Sequence, residues 1–279
     1  MSHPIVAHVW ETLHAEALAL RRTEPFLAPI LDHMVLAATS LSEALARRLA
    51  VALASAEIPV EAYHDLALEA FLNDPSLVVA TARDLVAVQA RDPACQTQSH
   101  AFLNYKAFHA VQLHRVAHGL WLAERRALAA WLSNRVAEVL GPDIHPAAQL
   151  GVGIMLDHGA GIVIGETAVL EDNVTLLQNV TLGGTGKTRG DRHPKLRQGV
   201  MIGAGANIIG NVAIGAYSKV GAGSVVLKDI PAHCTVAGVP AQIVRLHPHR
   251  ASAVPVRPTG GRVQVCKVPR SALPPEVRI

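Results

Sequence analysis

The sequence predicts an α+β fold with an α-helical N-terminal domain (residues 1–141), a parallel β-helix of hexapeptide repeats (142–246) and a flexible Pro/Arg-rich C-terminal tail (247–279). Two observations predict this order. Apolar residues follow a helical spacing as far as about residue 140, and beyond Pro142 they recur every six positions. Half of the 279 residues are hydrophobic but only 4% are aromatic, so the core must be built from Ala, Val, Leu and Ile.

The N-terminal half is expected to form several α-helices. Residues 6–22 and 124–140 carry apolar residues at helical spacing, and residues 100–121 are predicted to form one continuous helix. Ser40 and Glu43 fit a capping box, in which a hydroxyl and a carboxylate satisfy free backbone N–H groups at the start of a helix. The alanine-rich composition suits close packing of these helices, within or between subunits.

Beyond Pro142 a six-residue period replaces the helical one. The in-phase positions form three runs, which are Ile144, Leu150, Leu156 and Ile162; Ile164, Leu170, Leu176 and Leu182; and Ile202, Ile208, Ile214, Val220 and Val226. A helix of 3.6 residues per turn cannot keep one face through this pattern, whereas short strands joined by tight turns at fixed spacing can. Each coil is therefore predicted to contain three strands and about 18 residues. The first two runs are separated by a phase slip of two residues, which we expect to widen the coil.

The gap between Leu182 and Ile202 contains a polar, glycine-rich segment, and a loop is predicted over residues 183–199. Solenoids accommodate insertions as loops that project from one face, often the binding face. Arg192 and His193 are therefore expected on this loop. Its GGTGK stretch lacks the full Walker spacing and the following helix, so it is a weak nucleotide signal.

Composition argues against several classes of protein. No apolar run reaches the roughly 18 to 20 residues of a membrane span, and the N-terminus lacks the layout of a signal peptide. Cys95, Cys234 and Cys266 are odd in number and far apart, so neither a disulfide framework nor a zinc knuckle is indicated. Of 25 basic and 22 acidic residues, seven basic ones and only Glu276 lie beyond residue 244, which leaves 18 basic and 21 acidic residues in the body. A cytoplasmic protein that binds neither nucleic acid nor membrane is predicted.

Asp157 and His158 stand side by side among small and β-branched residues. From the residues alone, His158 is a catalytic base, a metal ligand or a surface residue at a turn. Asp143 precedes it by 15 residues, three short of one coil, so both are expected near one corner in neighbouring layers, where a carboxylate can orient an imidazole. Histidine is the side chain best suited to take a proton near neutral pH, and the nucleophile would be a substrate hydroxyl. The histidines expected to be structural or surface residues are His109, His114 and His118.

Several segments resemble the serine O-acetyltransferase family. They are DIHPAAQLGVGIMLDHGAGIVIGETAVLEDNV, VTLGGTGKTRGDRHPKLRQGVMIGAGANIIGN and GAGSVVLKDIPAHCTVAGVPAQIV in the repeats, with VQARDPA and YKAFHAVQLHRVAH in the helical half. The likeness runs from about residue 8 to 245 and is more specific than hexapeptide repeats alone, which acyltransferases of many substrates share. It implies a left-handed β-helix and a homotrimer, with two trimers joined through the helical domains.

The resemblance also implies a reaction, which is acetyl transfer from acetyl-CoA to the hydroxyl of L-serine, giving O-acetyl-L-serine and coenzyme A for cysteine biosynthesis, without a metal. It makes His158 the general base and Asp143 its partner. The substrate-binding residues that it implies are Asp92 and Asp157 for the serine ammonium, Arg192 for the carboxylate and His193 near the reacting hydroxyl. A zwitterion needs anionic and cationic partners together, and an arginine fork matches a carboxylate.

Further expectations concern the coenzyme and protein partners. By family likeness Gly184, Ala204 and Ala222 are small residues that let coenzyme A approach the coil, and Lys219 is expected to meet a phosphate. L-cysteine, which mimics serine, is expected to be a feedback inhibitor. Many family members dock a C-terminal isoleucine into cysteine synthase, for which Ile279 is the candidate, although the preceding PPEVR departs from the usual approach.

Three other functions are open at the sequence level. The first is acetyl transfer to another hydroxyl or amine, such as that of a sugar or an antibiotic, against which the set of zwitterion-binding residues argues. The second is a metal-dependent hydratase on the same β-helix, with His145, His158 and His193 as ligands. The third is a helical scaffold whose main task is to bind cysteine synthase.

Overall fold

The computed structural model describes residues 3–187 and 189–247, and this part of the chain is helical as far as Leu140. The α-helices are α1 (Pro4–Thr23), α2 (Ala28–Leu31), α3 (Leu41–Leu53), α4 (Val60–Asn73), α5 (Ser76–Arg91), α6 (Gln98–Asn104), α7 (Lys106–Leu122) and α8 (Arg126–Leu140). A 3-10 turn (Pro25–Leu27) precedes α2 and a π-helical turn (Asp32–Leu36) follows it. The helical N-terminal domain predicted from the sequence is confirmed.

Local signals set most of the helix ends. The capping box at α3 is confirmed, because Ser40 Oγ accepts the Glu43 N–H at 3.3 Å. The Glu43 carboxylate accepts from the N–H and the hydroxyl of Thr39, both at 2.7 Å, and these bonds lower the pKa of Glu43 to about 2. At the other end of the domain α8 stops before Gly141, whose φ of 103° ends the helix in the way glycine allows.

The prediction of one continuous helix over residues 100–121 is wrong. The chain leaves the helical conformation at Tyr105, with φ −85° and ψ 96°, so that α6 and α7 are separate helices. No proline or glycine lies between Gln98 and His118, so local propensity does not require the break. Hydrogen bonds from the side chains of His109 and Arg48 maintain it, as described below.

Beyond Pro142 the chain winds into a parallel β-helix. Its strands are β1 (Asp143–Ile144), β2 (Gln149–Leu150), β3 (Met155–Leu156), β4 (Val163–Ile164), β5 (Val169–Leu170), β6 (Thr175–Leu176), β7 (Thr181–Gly183), β8 (Lys195–Leu196), β9 (Met201–Ile202), β10 (Asn207–Ile209), β11 (Ala213–Ile214), β12 (Lys219–Val220), β13 (Val225–Val226), β14 (Cys234–Gly238) and β15 (Ala241–Leu246). Successive strands belong to three sheets in turn: the first sheet is β1-β4-β7-β10-β13, the second β2-β5-β8-β11 and the third β3-β6-β9-β12-β14-β15. Pairing is parallel except between β14 and β15, as is typical of a left-handed β-helix closed by a hairpin.

The in-phase apolar residues point inward, as the six-residue period predicts. They form one buried cluster, and only Leu150 among them is partly exposed. Most corners between strands take four residues. The phase slip adds two residues to the corner between β3 and β4, so that Asp143 pairs with Val163, 20 positions later, whereas Val163 pairs with Thr181 after 18. The slip therefore lengthens one corner, which is the corner that carries Asp157 and His158.

The predicted loop over residues 183–199 is too long. Gly183 ends β7, and the coil resumes at Lys195, where β8 pairs with both β5 and β11. Leu196 is fully buried and lies six positions before Ile202, so it continues the apolar phase. The polar residues on either side of Leu196 obscured this position. The insertion is therefore the segment between β7 and β8.

A buried polar network joins the helical domain to the first coil of the β-helix. Asp84 of α5 is fully buried and pairs with Arg115 of α7 at 2.7 Å, while its second carboxylate oxygen accepts the Ile154 N–H at 2.8 Å. Arg115 also donates to the carbonyls of Leu150 and Gly151. Because removing one partner of a buried ion pair leaves an uncompensated charge, this network fixes the orientation of the two domains.

Two of the three expected structural histidines serve the same junction. His114 Nε2 donates to the Ala148 carbonyl at 3.1 Å and His118 Nδ1 to the Pro146 carbonyl at 2.8 Å, whereas the buried His109 donates to Phe102 within the helical domain. Burial lowers the pKa of both His109 and His114 to about 3. These three residues are structural, as predicted.

Three further predictions concern the C-terminal tail, the cysteines and membrane-spanning helices. The predicted C-terminal tail beyond His247, with Ile279 and Cys266, lies outside the described residues. Within them, Cys95 and Cys234 are buried free thiols. None of the helices in residues 3–187 and 189–247 combines the length and apolarity needed to cross a membrane.

Candidate active site

The longer corner between β3 and β4, residues 157–162, is called the His158 corner. His158 has a φ of 57°, and the Gly159 N–H donates to the Asp157 carbonyl at 2.7 Å, which makes the turn tight. The turn is pressed against α7, since a Cβ added to Gly159 would lie 2.7 Å from that of Ala107. The His158 side chain is 72% exposed, and its Nε2 lies 3.9 Å from Asp157 Oδ1. The histidine is thus held on a rigid turn with its ring accessible to a ligand.

The end of α5 brings a second carboxylate to this corner. Asp92 follows the last residue of α5, and its Oδ1 accepts the Ala94 N–H at 2.8 Å. Its Oδ2 accepts the hydroxyl hydrogen of Tyr105 at 2.6 Å. Asp92, Tyr105, Asp157 and His158 line one cavity of about 410 Å³. Two carboxylates and an imidazole therefore converge, as expected from the sequence, and Tyr105 is a member of the site that the sequence reasoning missed.

Asp143 lies close to this corner in the backbone but not in side-chain contact. Its N–H donates to the Ile162 carbonyl at 2.8 Å, so it occupies the layer next to His158, as the repeat spacing predicts. Its exposed side chain on β1 forms no hydrogen bond or ion pair with His158 in the described part of the chain. The pairing of Asp143 with His158 stays a prediction.

The corner between the first and second sheets is called the Arg192 corner, and its described residues are 145–148, 165–168, 184–187 and 189–194. Arg192 donates to Glu166 Oε2 at 2.6 Å, and this ion pair lowers the pKa of Glu166. The Arg192 guanidinium also donates to the Gly190 carbonyl at 3.1 Å, and its side chain lies against Gly184. Glu166 thus holds the arginine in place, a role that the sequence reasoning did not assign.

His193 is fixed in one tautomer at the same corner. Thr167 donates its backbone N–H to His193 Nδ1 at 3.1 Å, so the ring proton of the neutral imidazole is on Nε2. Burial and the neighbouring Arg192 lower the pKa of His193 and so favour this neutral form. The ring lies directly over Gly165, where an added Cβ would be 2.0 Å from Cδ2. His193 is therefore a preorganised hydrogen-bond donor.

Small residues form a row that extends from the His158 corner along the prism. The Asn179 N–H donates to the Ala160 carbonyl at 2.8 Å, and in later layers the Gly223 N–H donates to the Ala204 carbonyl at 2.8 Å. Ala204 and Ala222 follow strands of the third sheet in the same way as His158 does. Lys219 is exposed on β12 of that sheet. Three of the four predicted coenzyme positions thus share one side of the molecule with His158, whereas Gly184 lies at the Arg192 corner.

The predicted site residues therefore fall into two groups at different corners. In residues 3–187 and 189–247 no hydrogen bond or ion pair joins Asp92, Asp157 or His158 to Arg192 or His193. Of the three histidines in the hydratase hypothesis, His145 and His193 both lie at the Arg192 corner, whereas His158 lies at the other corner. The described residues contain no cluster of three or more His, Cys, Asp or Glu side chains suited to a metal ion.

Comparison with known proteins identifies the class to which this fold and site belong. A profile described as bacterial transferase hexapeptide (six repeats) matches residues 193–228, and one described as serine acetyltransferase, N-terminal, matches residues 9–113. The molecule is thus a hexapeptide-repeat transferase with a helical N-terminal domain.

Individual relatives specify the family. The serine acetyltransferase of Salmonella typhimurium is 53% identical over 236 residues, which cover 85% of this chain and 86% of the relative. The structure of soybean serine acetyltransferase complexed with serine superposes with a TM-score of 0.84 at 51% identity, covering 87% of this chain and 100% of that one. That of Brucella abortus serine acetyltransferase in complex with coenzyme A gives 0.84 at 45% identity, covering 86% and 96%. A serine acetyltransferase in complex with cysteine gives 0.84 at 46% identity, covering 88% and 100%. The chain belongs to the serine acetyltransferase family.

Proposed function

We propose that this chain transfers the acetyl group of acetyl-CoA to the hydroxyl of L-serine, giving O-acetyl-L-serine and coenzyme A for cysteine biosynthesis. The observation that carries the proposal is the His158 corner, where an accessible imidazole and two carboxylates line one cavity of about 410 Å³. The relatives solved with serine and with coenzyme A support the two substrates.

His158 acts as the general base. An unprotonated ring nitrogen removes the proton of the serine hydroxyl while the oxygen attacks the thioester carbonyl. The tetrahedral intermediate then collapses, the carbon–sulfur bond breaks, and the imidazolium returns its proton to the departing thiolate of coenzyme A. Asp143 is proposed to orient the imidazole once substrate is bound. Positioning and proton transfer account for this step.

The charges of the two corners match the two ends of the serine zwitterion. Asp92 and Asp157 bind the ammonium, Arg192 binds the carboxylate through its fork, and His193 Nε2–H donates to the reacting end of the substrate. Because the two groups occupy different corners of one prism, the site is proposed to form between copies of the chain, with the His158 corner of one facing the Arg192 corner of the next. The assembly is a cyclic trimer, alone or as a dimer of trimers.

Coenzyme A is proposed to lie along the row of small residues that leads to His158. Ala204 and Ala222 leave the coil backbone open to the ligand, and the exposed Lys219 ammonium is available to a phosphate. Gly184 joins this groove from the neighbouring copy, beside the Arg192 side chain.

L-cysteine is proposed to inhibit the enzyme by occupying the serine position, because its ammonium and carboxylate are placed as in serine. The relative solved with cysteine supports this binding. Docking to cysteine synthase is a separate proposal that rests on the sequence likeness and on Ile279. Deleting Ile279 is expected to abolish the complex in a pull-down, and unchanged affinity would contradict it.

The function is tested by following free coenzyme A released from acetyl-CoA in the presence of a panel of acceptors. L-serine is expected to give the highest kcat/KM, ahead of sugars, amines and other hydroxy amino acids, and the rate is expected to survive chelators. Faster release with a sugar or an amine would replace L-serine as the acceptor, and release abolished by chelators would show that the transfer depends on a metal ion.

A further inference from the structure

No proline or glycine requires the break between α6 and α7. Hydrogen bonds from two side chains to the carbonyls at the end of α6 stabilise it. The Phe102 carbonyl, which a continuous helix would use internally, accepts from the buried His109 Nε2 at 2.7 Å. The Leu103 carbonyl accepts two hydrogen bonds from Arg48 of α3, from Nε at 3.1 Å and from Nη2 at 2.8 Å. Buried carbonyls at a helix end must find such partners, so these side chains stabilise the break itself.

The break places Tyr105 between the helical domain and the His158 corner. Its N–H ends α6 by donating to the Ala101 carbonyl at 3.0 Å, and its carbonyl starts α7 by accepting the His109 N–H at 3.2 Å. The side chain leaves the helical surface and lines the cavity with Asp92, Asp157 and His158. In an unbroken helix Tyr105 would follow the helical course of its neighbours, and its hydroxyl would lose this position.

The hydroxyl of Tyr105 provides the hydrogen-bond donor for the second oxygen of the Asp92 carboxylate. Asp92 Oδ1 accepts from the Ala94 N–H and Oδ2 from Tyr105, so each oxygen has one fixed donor and a remaining lone pair. Burial and the negative charges of Asp92 and Asp157 raise the pKa of the Tyr105 phenol, which keeps it a donor. The carboxylate is thereby held in one rotamer with its free lone pairs available to a cation.

We propose that Tyr105 is a positioning residue for the substrate ammonium and acts by holding Asp92 in its binding rotamer. The inference rests on the proposed function, because it concerns the amino group of L-serine. Tyr105 is thus a determinant of selectivity for amino-acid acceptors over hydroxy acids of the same length. His109 and Arg48 support it by stabilising the helix break.

The test is Tyr105→Phe, which removes only the hydroxyl, with Tyr217→Phe as the matched control at an exposed ring of another corner. The KM for L-serine and the Ki for L-cysteine are each expected to rise roughly tenfold, the effect of losing one hydrogen bond to a charged group. The kcat and the KM for acetyl-CoA should change less than about threefold. The control should match wild type in all four.

A ligand without the ammonium separates positioning from a general structural effect. The Ki of 3-hydroxypropanoate, measured against L-serine, is expected to be the same in wild type and Tyr105→Phe, because this acid does not use Asp92. In an Asp92→Asn background, adding Tyr105→Phe should have little further effect on L-cysteine binding measured by calorimetry.

The outcomes distinguish the inference from the function on which it rests. Equal losses for L-cysteine and 3-hydroxypropanoate, or additive losses with Asp92→Asn, would overturn the positioning role of Tyr105. Wild-type protein that releases no coenzyme A with L-serine would overturn the proposed function instead.

Discussion

The two corners that carry the site residues differ in how they are built. The His158 corner exceeds the usual four residues by two and presents a tight turn whose histidine is largely exposed. The Arg192 corner carries the segment between β7 and β8, and its cation is already paired with Glu166 while His193 is held by Thr167. The His158 corner presents two carboxylates and an exposed imidazole. The Arg192 corner presents an arginine paired with Glu166 and a neutral imidazole.

This difference indicates where the β-helix of this chain carries its predicted functional side chains. Regular four-residue corners also carry polar side chains, such as Glu171 and Arg197, which pair with each other at 2.7 Å, whereas the two irregular corners insert extra residues into the period. The helical domain supplies Asp92 and Tyr105 to the His158 corner, because the Asp84–Arg115 network fixes that domain against the first coil. The irregular corners, and not the histidines as a class, mark the positions of His158, Arg192 and His193 in this chain, since His109, His114 and His118 are structural.

The largest effect is expected when the imidazole of His158, the proposed general base, is removed. His158→Ala is expected to lower kcat/KM for L-serine by roughly 10² to 10⁴, the usual contribution of a general base. His64→Ala is the matched control, because His64 lies on α4, outside both corners. Coenzyme A release measured with both variants checks this, and a loss below about threefold in His158→Ala would show that another group takes the proton.

A smaller effect is expected at the Arg192 corner, because its residues are proposed to position the substrate and not to transfer the proton. Gly165→Ala would place a methyl group 2.0 Å from the His193 ring, so the ring must move. A displacement of this kind should reduce kcat/KM by about tenfold to a hundredfold. Gly119→Ala is the control, since an added Cβ there meets nothing within 4 Å. Steady-state kinetics in which both variants equal wild type would show that the position of His193 is not critical.

A last effect concerns the free energy of unfolding as a function of pH and depends on two buried histidines of α7. His109 and His114 have their pKa lowered to about 3 by burial, so below the unfolded value of about 6.5 the unfolded chain binds more protons. Stability is therefore complete above pH 6.5 and falls as the pH drops toward 3, by at most about 1.4 kcal/mol per pH unit for each histidine. Urea midpoints between pH 7.5 and 4.5 measure this, and His114→Gln should lessen the slope. A flat profile would contradict the assignment.

Much of this arrangement could be predicted from the sequence, and the remainder depends on contacts across the fold. The period located almost every inward residue, and the phase slip correctly marked the His158 corner. Leu196 was missed although it is in phase with Ile202, because its polar neighbours concealed it. The helix break at Tyr105 was not predicted, because one of the side chains that stabilise it, Arg48, lies 55 residues away from its partner Leu103.

The division of the site between two corners was also beyond the sequence. Spacing along the chain placed Asp143 near His158 but could not show that Arg192 and His193 follow a different sheet. That information is in the strand order, which assigns each corner to a pair of sheets. Glu166 and Thr167 were missed for the same reason, because their partners lie 26 residues later in the chain.

The claim that both corners are needed, and come from different copies, is tested most directly by mixing two inactive variants. His158→Ala and Arg192→Ala are each expected to be nearly inactive, but trimers reassembled from an equal mixture should regain activity at about one quarter of the sites, where an intact His158 corner faces an intact Arg192 corner. Mixing His158→Ala with Asp157→Asn, which alter the same corner, should restore none. A first mixture no more active than its separate components would contradict a site shared between copies.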